Sequence, residues 1–281
     1  MKVLPFKIPK PEHYALVYQE DIGTSFYDQL HQHEEIQLSY IIEGEGKLIV
    51  GDTINFYKPD DILVIGSHLP HLLKSDTSVG GKSKMLSLFF SKKAFGRRFF
   101  EMEETKALQS FFTRATHGFK VVSEKEAMIQ LFLRLKTSQK LDQFLILLEL
   151  LKLASTCEYK SLSSFIYDKQ YSDYEGNRMR NIFEFTMSNF NTNITLEAVS
   201  EKANMTKNAF CKYFKKRTNK TYFQFLTELR VEHATKLLLS KNKLTVAEIA
   251  YESGFKNISN FNRQFKDIKK STPSDFRKKR V

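Results

Sequence analysis

Over residues 1–90 the chain reads as short apolar runs broken by glycine and proline. QLSYIIEG and GKLIVGD are rich in β-branched and aromatic residues and flank Gly44-Glu45-Gly46; DDILVIG follows Lys58-Pro59, and KMLSLFF follows Gly80-Gly81. Closely spaced strands with such turns predict a β-barrel or sandwich. From about residue 92 the period becomes helical. EKEAMIQLFLRLK (124–136) carries an apolar face of Met128, Leu131, Phe132 and Leu135, and LDQFLILLELLKLAS (141–155) one of Leu141, Phe144, Leu145, Leu148 and Leu151. Such helices pack on the barrel or on a second copy of themselves. The 141–155 face exceeds what one small barrel covers, so part of it is expected to form a homodimer contact. Residues 158–177 lack periodicity and read as a linker, after which helices run to the end.

The C-terminal helices announce their own ends. Thr245 and Glu248 have capping-box spacing. Thr272-Pro273 puts proline at a first helical position, and Gly254 stands where a helix terminates in a left-handed residue. This region also repeats itself. LEAVSEKANMTKNAFCKYFKK (196–216) aligns with VAEIAYESGFKNISNFNRQFKD (246–267). The first helices and the turn residues Asn204 and Gly254 are offset by 50; Phe210, Phe214 and Lys215 match Phe261, Phe265 and Lys266 at an offset of 51. Helix, tight turn, helix is helix-turn-helix logic.

In each copy the second helix keeps a thin apolar stripe of two phenylalanines. The opposite face offers Asn208, Cys211 and Lys212 in one copy and Ser259, Asn260, Asn262 and Arg263 in the other. Asparagine pairs with adenine and arginine with guanine in the major groove, so these residues are expected to read bases, with Lys215 and Lys266 on phosphates. A solvated polar face is the plain alternative; two copies in register weigh against it. Between the copies, TYFQFLTELRVEHATKLLL (221–239) predicts one long amphipathic helix, able to hold two reading heads roughly 34 Å apart, one DNA turn.

Charge sharpens this reading. The whole chain has 44 Lys+Arg and 32 Asp+Glu; 22 and 11 of these lie from residue 171 onward, so a neutral half precedes a basic one. A basic domain suits a polyanion. Cys157 and Cys211 fit no metal or redox spacing. MKVLPFKIPKP lacks a secretory h-region, and FLILLELLKLA (144–154) is too short to span a bilayer and contains Glu149 and Lys152. A cytoplasmic protein without membrane contact is expected.

RVEHATKLLL, TVAEIAYESGFKNISNFNRQFK and STPSDFR resemble the DNA-binding domain of the AraC/XylS transcriptional regulators over roughly residues 175–281. HQHEEIQLSYIIEGEGKLIVGD and KPDDILVIGSHLPHLLKS are similar to the two motifs of the cupin sensor common in that family. The resemblance implies an α+β chain: a cupin-like β-barrel with following helices for sensing and dimerisation (1–160), a linker (161–176), and an all-α domain with two helix-turn-helix motifs joined by a long helix (177–281). It implies double-stranded promoter DNA as partner, a sugar or other small metabolite as effector, and RNA polymerase as a further partner. It leaves activation or repression open.

His31, His33, Glu35 and Gln37 alternate, which would share one strand face. Cupin enzymes place H-x-H, a glutamate four residues on and a distant histidine around a metal; here those positions are His31, His33, Gln37 and His71. Gln37 replaces the anionic ligand unless Glu35 supplies it. The four are therefore expected to line a ligand pocket, with no metal, no cofactor and no catalysis. A metal-dependent cupin enzyme fused to a DNA-binding domain is the alternative, and a nonspecific nucleic-acid-binding protein is a third possibility that the duplicated helices oppose.

Overall fold

The computed structural model describes residues 14–76, 81–164, 173–240 and 243–278. The N-terminal MKVLPFKIPKP stretch lies outside the described residues, as do residues 165–172 of the expected linker. The chain divides into two compact units, Met1–Gly176 and Asn177–Val281.

The first unit is built on two antiparallel sheets. One has the order β1 (Leu16–Gly23), β7 (Ser83–Phe90), β2 (Ile36–Glu43), β5 (Ile62–Ile65), β8 (Phe119–Val121), β9 (Tyr159–Ser161); the other is β4 (Thr53–Tyr57), β3 (Gly46–Val50), β6 (His71–Ser75). The pleat sorts side chains between two cores. Ile41, Leu63, Ile65 and Met85 of the larger sheet join Leu48, Val50, Tyr57 and Leu73 of the smaller sheet in the barrel interior. Their neighbours Leu38, Tyr40, Ile62, Val64, Leu86, Leu88 and Phe90 face outward, into a core shared with α1 (Gln109–Ala115), α2 (Lys125–Arg134) and α3 (Lys140–Thr156). Burial on both faces is why these strands read as nearly continuous apolar runs.

The helices share a core with their own barrel, which narrows the residues left for the expected dimer face. Leu151 is fully buried beside Ile146, Leu147, Leu150 and Ala154, and Phe144 and Leu148 are partly buried against the same core. Of the five expected contact residues, Leu141 (69% exposed) and Leu145 (49%) stay open, along with Leu133 (48%) on α2.

The expected linker also starts later than residue 161. β9 pairs with β8, Leu162 is buried in the interior core, and Ser163 Oγ and the Ser164 N–H each donate to Asp52 at 2.9 Å. At the other end α4 (Asp173–Asn189) begins before residue 177.

In the second unit α4 is followed by α5 (Leu196–Lys202), α6 (Lys207–Thr218), α7 (Tyr222–Leu239), α8 (Val246–Glu252), α9 (Ile258–Lys269) and α10 (Pro273–Lys278). The internal repeat is structural. α5 and α8 have 7 residues each, and α6 and α9 have 12. Asn204 (φ +51°) and Gly254 (φ +87°) are both left-handed. Both turns close with the same pair of Schellman bonds. Asn204 N–H donates to Glu201 O and Met205 N–H to Ser200 O; Gly254 N–H donates to Tyr251 O and Phe255 N–H to Ala250 O. Thr195, Thr206, Thr221 and Thr245 cap their helices through side-chain oxygens, and Thr245 with Glu248 completes the expected capping box.

Candidate functional site

Two places in the molecule concentrate chemistry. The first is inside the barrel. β2 begins at Ile36, so His31, His33 and Glu35 precede it rather than alternating along it, and only Gln37 lies in the strand. His31 is placed instead by an isolated antiparallel bridge to His71, with His31 N–H donating to His71 O at 3.0 Å and His71 N–H to His31 O at 2.9 Å. His33 holds the other side, its carbonyl taking the His68 N–H at 2.7 Å. The three rings meet: His31–His71 centroids are 4.1 Å apart, His33–His71 5.1 Å and His31–His33 5.9 Å. All three are buried, and their ligand nitrogens lie within 4.8 Å of one another.

Each Nδ1 faces a backbone carbonyl two residues away: Gln29 O for His31, Glu35 O for His33 and Leu69 O for His71, at 2.8–2.9 Å. A carbonyl only accepts, so each ring keeps a proton on Nδ1 and turns Nε2 toward the cluster. Burial lowers the His33 pKa, and burial together with repulsion from His31 and His33 lowers that of His71 well below the usual imidazole value, so both are neutral near pH 7. Nε2 of His71 is buried without a hydrogen-bond partner. Nε2 of His33 lies 3.2 Å from Gln37 Oε1, while Gln37 Nε2 donates to Ser39 Oγ at 2.9 Å and Ser39 Oγ lies 2.8 Å from Ser87 Oγ. A neutral His33 can donate to only one of its two oxygen neighbours. Turning over the Gln37 amide relieves the second contact, as does a cation on Nε2.

Glu35 enters through its backbone carbonyl, and its carboxylate is not part of the cluster. A cavity of about 150 Å³ adjoins the cluster and is lined by Gln19, Asp21, Tyr27, His31, Gln37 and His71 among others. Gln19, Asp21 and Tyr27 come from β1 and the loop after it, and nothing local in the sequence marked them. Burial raises the Asp21 carboxyl pKa, against a hydrogen bond from Gln19 that lowers it.

The second place is the outer face of α6 and α9. Phe210, Phe214, Phe261 and Phe265 are fully buried. Asn208, Cys211, Lys212 and Lys215 on α6, and Ser259, Asn260, Asn262, Arg263 and Lys266 on α9, are all exposed. Asn257 starts α9 by accepting from Ser259 N–H and Asn260 N–H, and Arg263 donates to Asn260 Oδ1 at 3.1 Å. Buried aromatics on one side and exposed amide, hydroxyl and cationic groups on the other are what a groove-reading helix needs.

A helix-turn-helix domain model matches residues 199–279, and a cupin domain model matches residues 21–86. The Msm operon regulatory protein of Streptococcus mutans is 24% identical over 259 residues, spanning 92% of this chain and 88% of that protein. The HTH-type transcriptional regulator YdeC of Bacillus subtilis is 24% identical over 260 residues, 90% of this chain and 87% of its own. An HTH-type transcriptional regulator from the cgkA 5′ region of Pseudoalteromonas carrageenovora is 33% identical over 100 residues, 36% of this chain and 58% of that protein.

Proposed function

We propose, from the premise that the chain belongs to the AraC/XylS family of DNA-binding transcriptional regulators and joins a cupin domain to a helix-turn-helix domain, that the barrel senses a small effector at His31, His33, Gln37 and His71. The observation that carries this reading is the cluster of three imidazoles, of which His31 and His71 line the cavity and His33 stands behind them. About 150 Å³ accommodates a molecule the size of benzene. A cavity of that size suits a small metabolite, or a single sugar unit where the pocket opens. The relatives are named as an operon regulatory protein and an HTH-type transcriptional regulator, which supports a sensor rather than an enzyme. No described helix is long and apolar enough to cross a membrane, in keeping with action in the cytoplasm on promoter DNA and RNA polymerase.

The orphaned Nε2 of His71 favours a second reading of the same pocket. Three clustered imidazoles fit a divalent transition ion, which His31, His33 and His71 would hold, with the neutral Gln37 amide where a carboxylate would otherwise stand. Bound, it would supply a Lewis-acid centre for an effector's oxygen atoms. In a reporter assay, His71→Ala in the full-length protein is expected to abolish the effector response and leave effector-free operator affinity unchanged. Elemental analysis of the same preparations separates a metal-assisted pocket from a metal-free one. A variant that melts like the parent and still responds fully would remove the cluster from sensing.

Leu141 and Leu145, with Leu133 on the neighbouring helix, are the proposed homodimer contact. Leu141→Glu/Leu145→Glu is expected to sediment as a monomer where the parent sediments as a dimer. A parent that is itself monomeric at tens of micromolar would discard the contact.

A further inference from the structure

α7 is not the only connection between the two reading heads. Arg230, on α7, sends Nε to Phe190 O at 2.7 Å and a terminal nitrogen to Thr192 O at 2.7 Å. It thereby holds the loop that joins α4 to α5 in the first head. The turn of the second head lies against the same guanidinium. A Cβ added to Gly254 would stand 2.7 Å from Phe190 O, 2.8 Å from Arg230 Nε and 2.8 Å from Asn191 Cα. One turn further along α7, the His233 ring packs edge-on to Phe190 at 4.9 Å, and its Nδ1 lies 3.1 Å from Ser253 Oγ. The 190–192 loop, α7 and the α8–α9 turn therefore meet at one point.

The repeat isolates what is special about this contact. Asn204 and Gly254 occupy equivalent positions with left-handed backbones, and the first head makes its turn with asparagine. Gly254, at φ +87°, is strained for any side chain, more so than Asn204 at +51°, and the close approach of the first head's loop and Arg230 adds a second, steric demand for glycine.

We propose that the junction of Arg230, Gly254 and the 190–192 loop is the spacing determinant of DNA recognition: it fixes the separation and angle between α6 and α9, and so the distance between the two sub-sites the chain reads. Inserting one base pair moves the second sub-site by about 3.4 Å and turns it by about 35°. A rigid pair of heads cannot follow that shift and loses the gain from simultaneous engagement, about 10²-fold or more. A loosened pair follows it. Arg230 is a positioning residue here; it acts through the heads and contacts no base.

The inference rests on both heads contacting DNA, and the experiment tests that premise separately. A duplex is selected from a random pool with the full-length protein and its two sub-sites are footprinted. Affinity is then measured for that duplex, for one with a single base pair inserted between the sub-sites, and for one with the second sub-site scrambled. Spin labels on the exposed native Cys211 and on Ser259→Cys report the distance between heads without DNA, Cys157 being buried. For the parent, insertion is expected to cost about as much as scrambling, with a narrow distance distribution. For Arg230→Met the selected-to-inserted affinity ratio is expected to fall below about tenfold, with a broadened distribution. If scrambling costs the parent nothing, the two-head reading falls and this inference with it. If scrambling matters but either the ratio or the distribution keeps its parental value in Arg230→Met, the junction does not set spacing. Should Arg230→Met fail to melt cooperatively, Arg230→Lys, which keeps the charge but cannot reach Phe190 O and Thr192 O together as the guanidinium does, carries the same two measurements under the same criteria.

Discussion

Phe261→Ala is expected to destabilise the C-terminal unit by about 3–5 kcal/mol and to abolish operator binding. The ring is fully buried, with centroids 5.1 Å from Phe255 and 5.5 Å from Phe265. It belongs to a core with Val231, Ala234, Leu238, Ile249 and Ala250, contributed by α7 and α8. Removing it opens a cavity that three helices would have to collapse around at once, and the Gly254 turn leaves them no room to slide. A domain of this size is stable by about 5–15 kcal/mol in all, so the loss is a large share. Phe223→Ala is the control: that ring is 47% exposed and near the start of α7, and its loss should stay below about 1 kcal/mol. Urea unfolding of the full-length protein followed by helical circular dichroism measures both. A Phe261→Ala loss as small as the control's would mean that α9 is not held by this core.

Arg263→Ala is expected to leave folding intact and to cost about 1–3 kcal/mol of discrimination at one base pair. Arg263 is exposed on the α9 face opposite Phe261 and Phe265, with its side chain bonded to Asn260 of the same face. Such a bond orders the guanidinium and leaves further N–H groups for a guanine edge. Lys215→Ala and Lys266→Ala should behave differently. Each removes an exposed cation suited to a phosphate, weakening all duplexes alike and lowering the salt slope by about 0.9. Titrating specific and scrambled duplexes across a range of salt separates the two behaviours. Equal losses on both duplexes for Arg263→Ala would move it from base to backbone.

The helix-turn-helix pair was legible because all its determinants are local. Thr195 and Thr245 cap their helices, Asn204 and Gly254 turn left-handed, and Phe210/Phe214 and Phe261/Phe265 sit at i,i+4, all within about twenty residues of chain in each copy. Local sterics and one-face burial decide such units before any distant contact forms. β2, β3, β5 and β7 were legible as apolar runs bounded by turn residues, whereas β1 and β4, with more mixed sequences, were not. β8 and β9, three residues each, were not either: so short a segment has no period, and only pairing with a formed sheet makes it a strand.

The histidine cluster lies between these cases. Its members were named from the motif, but the geometry behind the naming was wrong. His31 and His33 precede β2, and it is the bridge from His31 to His71, forty residues away, that brings the rings together. The pocket partners Gln19, Asp21 and Tyr27 carry no local mark at all, because inward and outward positions of β1 acquire meaning only when it pairs with β7. α3 is apolar around most of its circumference, so periodicity could not say which side is buried. Its neighbours α1 and α2 and the shared core decided, taking Leu151 and Ile146 and leaving Leu141 outside. Gly254 carries both kinds of information. Its sequence position marks a left-handed turn, set by backbone sterics within one loop. A second demand for glycine comes from Phe190 O, Asn191 Cα and Arg230 Nε crowding the space a Cβ would fill, a contact made only when distant segments fold together.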